Sequence, residues 1–122
     1  MSKLTFICYE RCSTCQKARK WLDAQGIAYE TRAIDKDNPT AGELRGWIEQ
    51  SGLPPRRFFN ISGQLYRSLG VKAKLDAGLS EDEQIALLAT DGMLVKRPLL
   101  VGDGLVTVGF KEAVWGKLLG LS

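Results

Sequence analysis

Two cysteines three positions apart are the most reactive feature of the sequence. Cys12 and Cys15 enclose Ser13 and Thr14, a spacing close to one turn of a helix. If a helix begins here, its unpaired N–H groups and its dipole stabilise a thiolate at Cys12, and the charge of Arg11 adds to this effect. We therefore predict that Cys12 is the attacking thiol and that Cys15 resolves a mixed disulfide.

Other interpretations of this pair stay open. A zinc site needs more ligands, and the sequence has no histidine and only one further cysteine, Cys8. A structural disulfide is uncommon in a reducing compartment, and a pair of unreactive buried thiols would be unusual at a helix start. Cys8 lies in an apolar run and is interpreted as a core residue. The absence of histidine excludes Ser-His-Asp and Cys-His catalysis within the chain.

The segments on either side of the cysteines predict a β-α-β unit. Leu4 to Tyr9 is a short apolar run typical of a buried strand, and Ser13 to Gln25 has apolar residues at helical spacing before Gly26. Ile27 to Ile34 alternates apolar and polar residues, which predicts a second strand, parallel to the first. A Cys-x-x-Cys between the strand and the helix of such a unit is typical of a thioredoxin-like redox site.

A helical segment follows this unit. Thr40 with Glu43, and Ser80 with Glu83, have the spacing of capping boxes and predict two helix starts. Between them, Arg56 to about Leu75 carries a weaker pattern that indicates short helical pieces.

The last part of the sequence predicts a β-hairpin and a helix. Leu99 to Val101 and Leu105 to Val108 flank the turn sequence Gly102-Asp103-Gly104, and the helix follows at Lys111 to Leu119. We therefore expect an α/β, thioredoxin-like (glutaredoxin-like) fold with a mixed four-stranded sheet. The 122 residues are expected to form a single domain with a helical insertion at about residues 38–93.

An arginine directly before a proline is the second candidate for chemistry. Arg97 and Pro98 precede the predicted strand at Leu99. A guanidinium here could bind an oxyanion or the Cys12 thiolate, and a solvated surface charge is an equally weighted alternative. The Arg97–Pro98 bond is either cis, as is common at this point of thioredoxin-like folds, or trans at the start of a strand.

Charge and hydropathy limit the partners and the compartment. The net charge is +3 and the Lys and Arg residues are spread among Asp and Glu along most of the chain, which gives no reason to expect direct nucleic-acid binding. Arg56 and Arg57, after Pro55, are interpreted either as an anion or partner contact or as a solvated face. No apolar run is long enough for a membrane helix or a signal peptide, so we expect a cytoplasmic protein without membrane contact.

Six segments along nearly the whole chain form a recognisable set. They are Cys12-Ser13-Thr14-Cys15-Gln16-Lys17-Ala18, Asp37-Asn38-Pro39-Thr40, Ser51-Gly52-Leu53-Pro54, Phe58-Phe59-Asn60 with Leu65-Tyr66, Leu88 to Pro98, and Val108-Gly109-Phe110. With these segments the sequence resembles the ArsC family of arsenate reductase-related proteins, in the branch that includes Spx and MgsR. The resemblance also implies a thioredoxin-like fold with a helical insertion.

The resemblance implies roles for several residues. In family reductases the cysteine that matches Cys12 is the nucleophile, and Arg97 matches one of the arginines that bind the oxyanion. The second and third of those arginines fall near Asn60 and near Gly109 to Lys111, where this chain has no arginine. The presence of Cys15 implies an internal Cys12–Cys15 disulfide, as in the Spx-like branch.

Two functions follow as expectations from the resemblance. The first is a thiol-disulfide oxidoreductase of the arsenate reductase-like kind, with no bound cofactor. Its partner would be an external thiol reductant, namely thioredoxin, glutaredoxin or glutathione. The second is an Spx-like regulator that senses redox state and binds the RNA polymerase α subunit. Gly52 lies where the family makes that contact, although a glycine that simply ends a helix explains the same position.

Overall fold

The first apolar run forms strand β1 (Thr5–Cys8) in a computed structural model that describes residues 4–121. Helix α1 (Ser13–Ala24) follows the turn that carries Cys12. Strand β2 (Glu30–Ala33) then pairs with β1 in parallel, with Thr5 opposite Glu30. The β-α-β unit expected from the sequence is therefore confirmed.

Strand β2 is shorter than the sequence pattern predicts. The N–H of Ile27 donates to the carbonyl of Leu22 at 3.1 Å, so this residue bonds back to the end of α1 and not to β1. The ladder to β1 begins at Glu30, whose N–H donates to the carbonyl of Leu4 at 2.8 Å. The prediction of a strand over Ile27 to Ile34 was therefore wrong at both ends.

The C-terminal segment completes the sheet. Strands β3 (Leu99–Gly102) and β4 (Leu105–Val108) form an antiparallel hairpin with Asp103 and Gly104 in its turn, and helix α6 (Glu112–Leu118) follows. Because β3 also pairs with β1 in the antiparallel sense, the strand order is β2-β1-β3-β4. The predicted α/β, thioredoxin-like fold with a mixed four-stranded sheet is confirmed.

Side chains of β1, α1, β3 and α6 share one core. Its buried members are Phe6, Cys8, Cys15, Ala18, Leu22, Leu100 and Trp115. The Trp115 ring packs edge-on against Phe110 with centroids 4.9 Å apart, and its Nε1 donates to the carbonyl of Gly109 at 3.0 Å. Burial of these side chains fixes α1 against the sheet, and with it the residues at the start of α1.

The segment between β2 and β3 is helical. It contains α2 (Ala41–Ser51), α3 (Gln64–Ser68), α4 (Val71–Asp76), α5 (Glu81–Thr90) and single 3₁₀ turns at Pro55–Phe58 and Gly92–Leu94. Both predicted capping boxes are present, at Thr40 with Glu43 and at Ser80 with Glu83. The helical insertion expected from the sequence is therefore confirmed.

The described residues group into two compact units. One contains the described residues up to Ala33 and those from Arg97 onward, and the other contains Ile34–Lys96. That the whole chain acts as a single domain stays a prediction. Within residues 4–121, no helix has both the length and the apolar character needed to cross a bilayer.

Candidate active site

A four-residue turn places Cys12 at the start of α1. The N–H of Cys12 donates to the carbonyl of Tyr9 at 3.0 Å, which closes the turn through Glu10 and Arg11. Cys12 itself is extended (φ −87°, ψ 120°) and is the N-cap residue, because its carbonyl accepts the N–H of Gln16 at 3.1 Å. Its half-buried sulfur therefore lies at the positive end of the helix.

The surroundings of Cys12 favour the thiolate. Burial by itself would raise the pKa of this thiol. Interactions with the backbone and the thiol of Cys15 and with the backbone of Thr14, together with the charge of Arg97, outweigh burial. The pKa of Cys12 is consequently lowered from its ordinary value of 9.0.

The surroundings of Cys15, in contrast, disfavour the thiolate. Its side chain is only 2% exposed, and burial is the main reason that its pKa rises to about 12. The N–H of Tyr9 donates to its Sγ at 3.4 Å and opposes the rise, whereas the negative charge of Cys12 and the nearby Cys8 add to it. Cys12 is therefore the sulfur of the pair that ionises more readily, and Cys15 is the one that keeps its proton.

Arg97 lies with the cysteine pair. The Arg97–Pro98 peptide bond is cis, and the carbonyl of Pro98 accepts the N–H of Gly109 at 2.9 Å. The guanidinium carbon of Arg97 lies 5.0 Å from the centre of the Tyr9 ring, and its charge lowers the pKa of Cys12. Of the predicted catalytic residues, the structure thus brings Cys12, Cys15 and Arg97 together, while their roles in a reaction stay predictions.

The predicted supporting residues differ in their placement. Ser13 and Thr14 are the first two residues of α1 and are exposed, and Thr14 acts on Cys12 through its backbone N–H. Arg11 is exposed in the turn. Sequence reasoning named both Arg11 and Arg97 as charges that could act on Cys12, and the charge among the main causes of the lowered Cys12 pKa is that of Arg97.

The residues predicted as partner contacts belong to the helical unit. Gly52 ends α2 with φ 71° and is exposed. Arg56 and Arg57 are exposed in the 3₁₀ turn after Pro54, and Nη2 of Arg56 lies 2.8 Å from a carboxylate oxygen of Asp76. Their contact with a partner stays a prediction.

Two further residues touch the cysteines and were missed from sequence. Tyr9 contacts Cys12, Cys15 and Arg97 in the ways given above. Arg19 donates from Nη2 to the Sγ of buried Cys8 at 3.5 Å. Neither residue belongs to a recognised sequence motif. Only their positions in the sequence pointed to them: Tyr9 lies three residues before Cys12, and Arg19 lies one helical turn after Cys15.

The arrangement is suited to two-electron thiol chemistry. It holds a half-buried sulfur that favours the thiolate, a second, buried sulfur one helical turn away, and a guanidinium whose charge acts on the first. All three cysteines are thiols in this structure. Among residues 4–121, no cluster of three or more His, Cys, Asp or Glu side chains is placed to hold a metal ion.

The chain has relatives of known sequence and of known structure. The sequence model of the ArsC family matches residues 8–118. The uncharacterized protein YusI of Bacillus subtilis is 50% identical over 109 residues, which are 89% of this chain and 92% of YusI. A crystal structure of a protein described as related to the ArsC family, from Bacteroides fragilis, is 54% identical with a TM-score of 0.92, covering 95% of this chain and 97% of its own.

A regulator is also among the relatives. The regulatory protein MgsR of Bacillus subtilis is 27% identical over 120 residues, which are 98% of this chain and 90% of MgsR. Global transcriptional regulators of the Spx type match at lower identity. The resemblance to the ArsC family, in the branch with Spx and MgsR, is therefore confirmed.

Proposed function

The chain belongs to the ArsC family, and from this premise we propose that it is a thiol-disulfide oxidoreductase of the arsenate reductase-like kind. One observation carries the proposal: two cysteines one helical turn apart at the start of α1 have opposite pKa shifts, with the pKa of Cys12 lowered and that of Cys15 raised to about 12. A nucleophile that ionises readily and a partner that keeps its proton are what a two-step disulfide exchange requires.

The first step is attack by the Cys12 thiolate on one sulfur of an oxidised substrate. The substrate S–S bond breaks, one substrate sulfur leaves as a thiolate, and a mixed disulfide with Cys12 forms. In the second step Cys15 loses its proton and attacks the Cys12 sulfur. The Cys12–Cys15 disulfide forms, the second substrate sulfur leaves, and both leaving sulfurs are protonated. Two electrons have then passed from the cysteine pair to the substrate.

The electrostatics of Cys15 support this order of events. Burial is the main cause of its high pKa, but the hydrogen bond and the negative charge of Cys12 also contribute. Once Cys12 is bound in a mixed disulfide, its negative charge is gone, so this contribution disappears. The N–H of Tyr9, which donates to the Cys15 Sγ at 3.4 Å, then stabilises the developing thiolate. Cys15 therefore becomes more acidic at the step in which it must attack.

The cycle needs an external thiol reductant to return the disulfide to two thiols. We propose a thioredoxin, a glutaredoxin or glutathione for this role. Cys12 is the accessible sulfur of the pair, so the reductant attacks there and Cys15 leaves.

Disulfides are the substrates that this site fits better than arsenate. Arg97 offers one guanidinium for an oxyanion. The positions that match the other two anion-binding arginines of the family fall near Asn60 and near Gly109 to Lys111, where this chain has no arginine. We therefore expect faster turnover of a model disulfide than of arsenate.

A coupled assay tests the proposal. Oxidation of NADPH by a thioredoxin or glutaredoxin system is followed with a model disulfide or with arsenate as substrate. We expect turnover with the parent chain, none with Cys12→Ser, and near-parental turnover with the control Cys8→Ala, which removes a thiol outside the pair. Absence of turnover with every substrate and reductant, or equal turnover by Cys12→Ser, would refute the proposed enzyme.

The MgsR relationship supports a second candidate, a redox-sensing regulator. In this case the Cys12–Cys15 disulfide forms under oxidation and changes how the chain binds the RNA polymerase α subunit. Exposed Gly52 and Arg57 would contribute to that surface. Pull-down with purified α subunit, using reduced and oxidised chain, is the test. Arg57→Glu should weaken capture, and Lys20→Glu on exposed α1 surface is the matched control; no capture in either redox state excludes this candidate.

A further inference from the structure

Tyr9 contacts each of the three predicted catalytic residues, although it belongs to no recognised motif. We propose that Tyr9 is a positioning residue whose ring holds the Arg97 guanidinium beside Cys12 while its backbone holds both cysteines. This inference rests on the proposed function and deepens it, because it assigns the residue that assembles the reacting groups. All of the residues involved lie in the unit that contains the sheet.

The contact between the Tyr9 ring and Arg97 is a cation–π interaction, which suits a residue that holds a guanidinium in place. The guanidinium carbon of Arg97 lies 5.0 Å from the centre of the half-buried Tyr9 ring, within the range of about 6 Å for a cation–π interaction. An aromatic face attracts the cation without neutralising it. The positive charge of Arg97 therefore remains available to the Cys12 thiolate or to an anionic substrate group.

The backbone of Tyr9 has a separate role. Its carbonyl accepts the N–H of Cys12 at 3.0 Å, and its N–H donates to the Sγ of Cys15 at 3.4 Å. Both bonds survive any substitution of the side chain except proline. A change of side chain at this position therefore removes the ring contact with Arg97 and leaves the turn and the Cys15 hydrogen bond in place.

The test measures the ionisation of Cys12 by its rate of alkylation with iodoacetamide across pH, with the site identified by peptide mass spectrometry. Tyr9→Leu removes the ring, Tyr9→Phe keeps the ring face and is the matched control, and Tyr9→Met is a second ringless variant in case Tyr9→Leu does not fold. We expect alkylation below the midpoint pH to be about two- to tenfold slower in the ringless variants, with the midpoint moved upward. Tyr9→Phe should behave like the parent chain.

A double-mutant cycle with Arg97→Gln separates a positioning role from a merely structural one. If the ring acts through the guanidinium, Tyr9→Leu has little further effect once Arg97 is replaced. Ringless variants that alkylate like the parent, or effects of Tyr9→Leu and Arg97→Gln that simply multiply, would overturn the proposal. The alkylation assay needs no turnover, so the proposed enzyme could fail its own test while this result stands, and the reverse also holds.

Discussion

Cys12 and Cys15 lie one helical turn apart at the start of α1, and the two thiols have opposite pKa shifts, each of which depends partly on the other residue. Burial of Cys15, and the interactions at the helix start that outweigh the partial burial of Cys12, account for this asymmetry. The asymmetry assigns different chemistry to the two residues, and the predictions that follow test that assignment and the fold that supports it.

Replacing the resolving thiol should trap the reaction half-way. In Cys15→Ser, attack by Cys12 still forms a mixed disulfide, but no internal thiol can release the substrate. Mass spectrometry should therefore find a stable adduct of substrate on Cys12. Cys8→Ala should show no such adduct, because the resolving thiol is intact. An internal disulfide in Cys15→Ser that joins Cys8 to Cys12 would contradict the assigned role of Cys15.

Stability of the reduced chain should fall at alkaline pH. In the unfolded chain Cys15 titrates near 9.0, whereas in the folded chain it titrates near 12. Between these values the unfolded state has lost a proton that the folded state keeps, so the free energy of unfolding decreases, by at most about 1.4 kcal/mol per pH unit. Below the unfolded value this contribution to stability is fully present.

The contribution of Cys12 to stability depends on pH in the opposite direction. Its folded pKa is below 9.0, so its contribution to stability is present above the unfolded value and is lost as pH falls through the folded value. Urea unfolding of parent and Cys15→Ser chains over this range separates the two effects. The alkaline decrease should be smaller in Cys15→Ser; an equal decrease in both chains would show that Cys15 is not its source.

Replacement of two glycines by alanine should change the stability of the chain in opposite directions. A Cβ at Gly92 would overlap the carbonyl oxygen of Ile34 and lie 2.8 Å from Oδ1 of Asn38, which accepts the Gly92 N–H. Because the overlapping atom belongs to the backbone, Gly92→Ala should lower the free energy of unfolding by about 3 kcal/mol or more. Gly46 lies within α2 with no atom within 4 Å of a new Cβ, so Gly46→Ala should stabilise the chain by about 0.5–1 kcal/mol. Urea unfolding measures both, and equal effects would refute this explanation.

The capping box of α2 should contribute measurably. Oγ1 of Thr40 accepts the N–H of Glu43 at 3.1 Å, and the Glu43 carboxylate accepts the N–H of Thr40 at 3.0 Å. Thr40→Ala should lower the free energy of unfolding by about 1 kcal/mol, whereas Thr40→Ser, which keeps the hydroxyl, should change it little. A Thr40→Ser chain as unstable as Thr40→Ala would show that the hydroxyl is not responsible.

Much of the fold was predictable because its signals are local. Local signals of a few neighbouring residues predicted the capping boxes at Thr40 and Ser80, the hairpin turn at Asp103-Gly104 and the cysteine pair at the start of α1. The length of β2 was not predictable in the same way. Ile27 continues the alternating pattern, but its N–H bonds to the end of α1 and not to β1.

The site was predictable only in part, for a related reason. Cys12 and Cys15 lie close together in sequence, and their placement one helical turn apart follows from helix geometry. Arg97 reaches them through the pairing of β3 with β1, and Tyr9 meets Arg97 only because that pairing exists. Contacts between residues so far apart in the chain leave no periodic pattern in the sequence, so Tyr9 was not predicted.

The most direct test of the account is the pH dependence of alkylation at Cys12 in the reduced parent chain, read out by mass spectrometry residue by residue. We predict half-maximal alkylation of Cys12 below its ordinary value of 9.0, while Cys15 stays unmodified throughout the range in which the chain remains folded. A midpoint for Cys12 at or above 9.0, or modification of Cys15 before Cys12, would contradict the claim that the start of α1 creates a reactive thiolate.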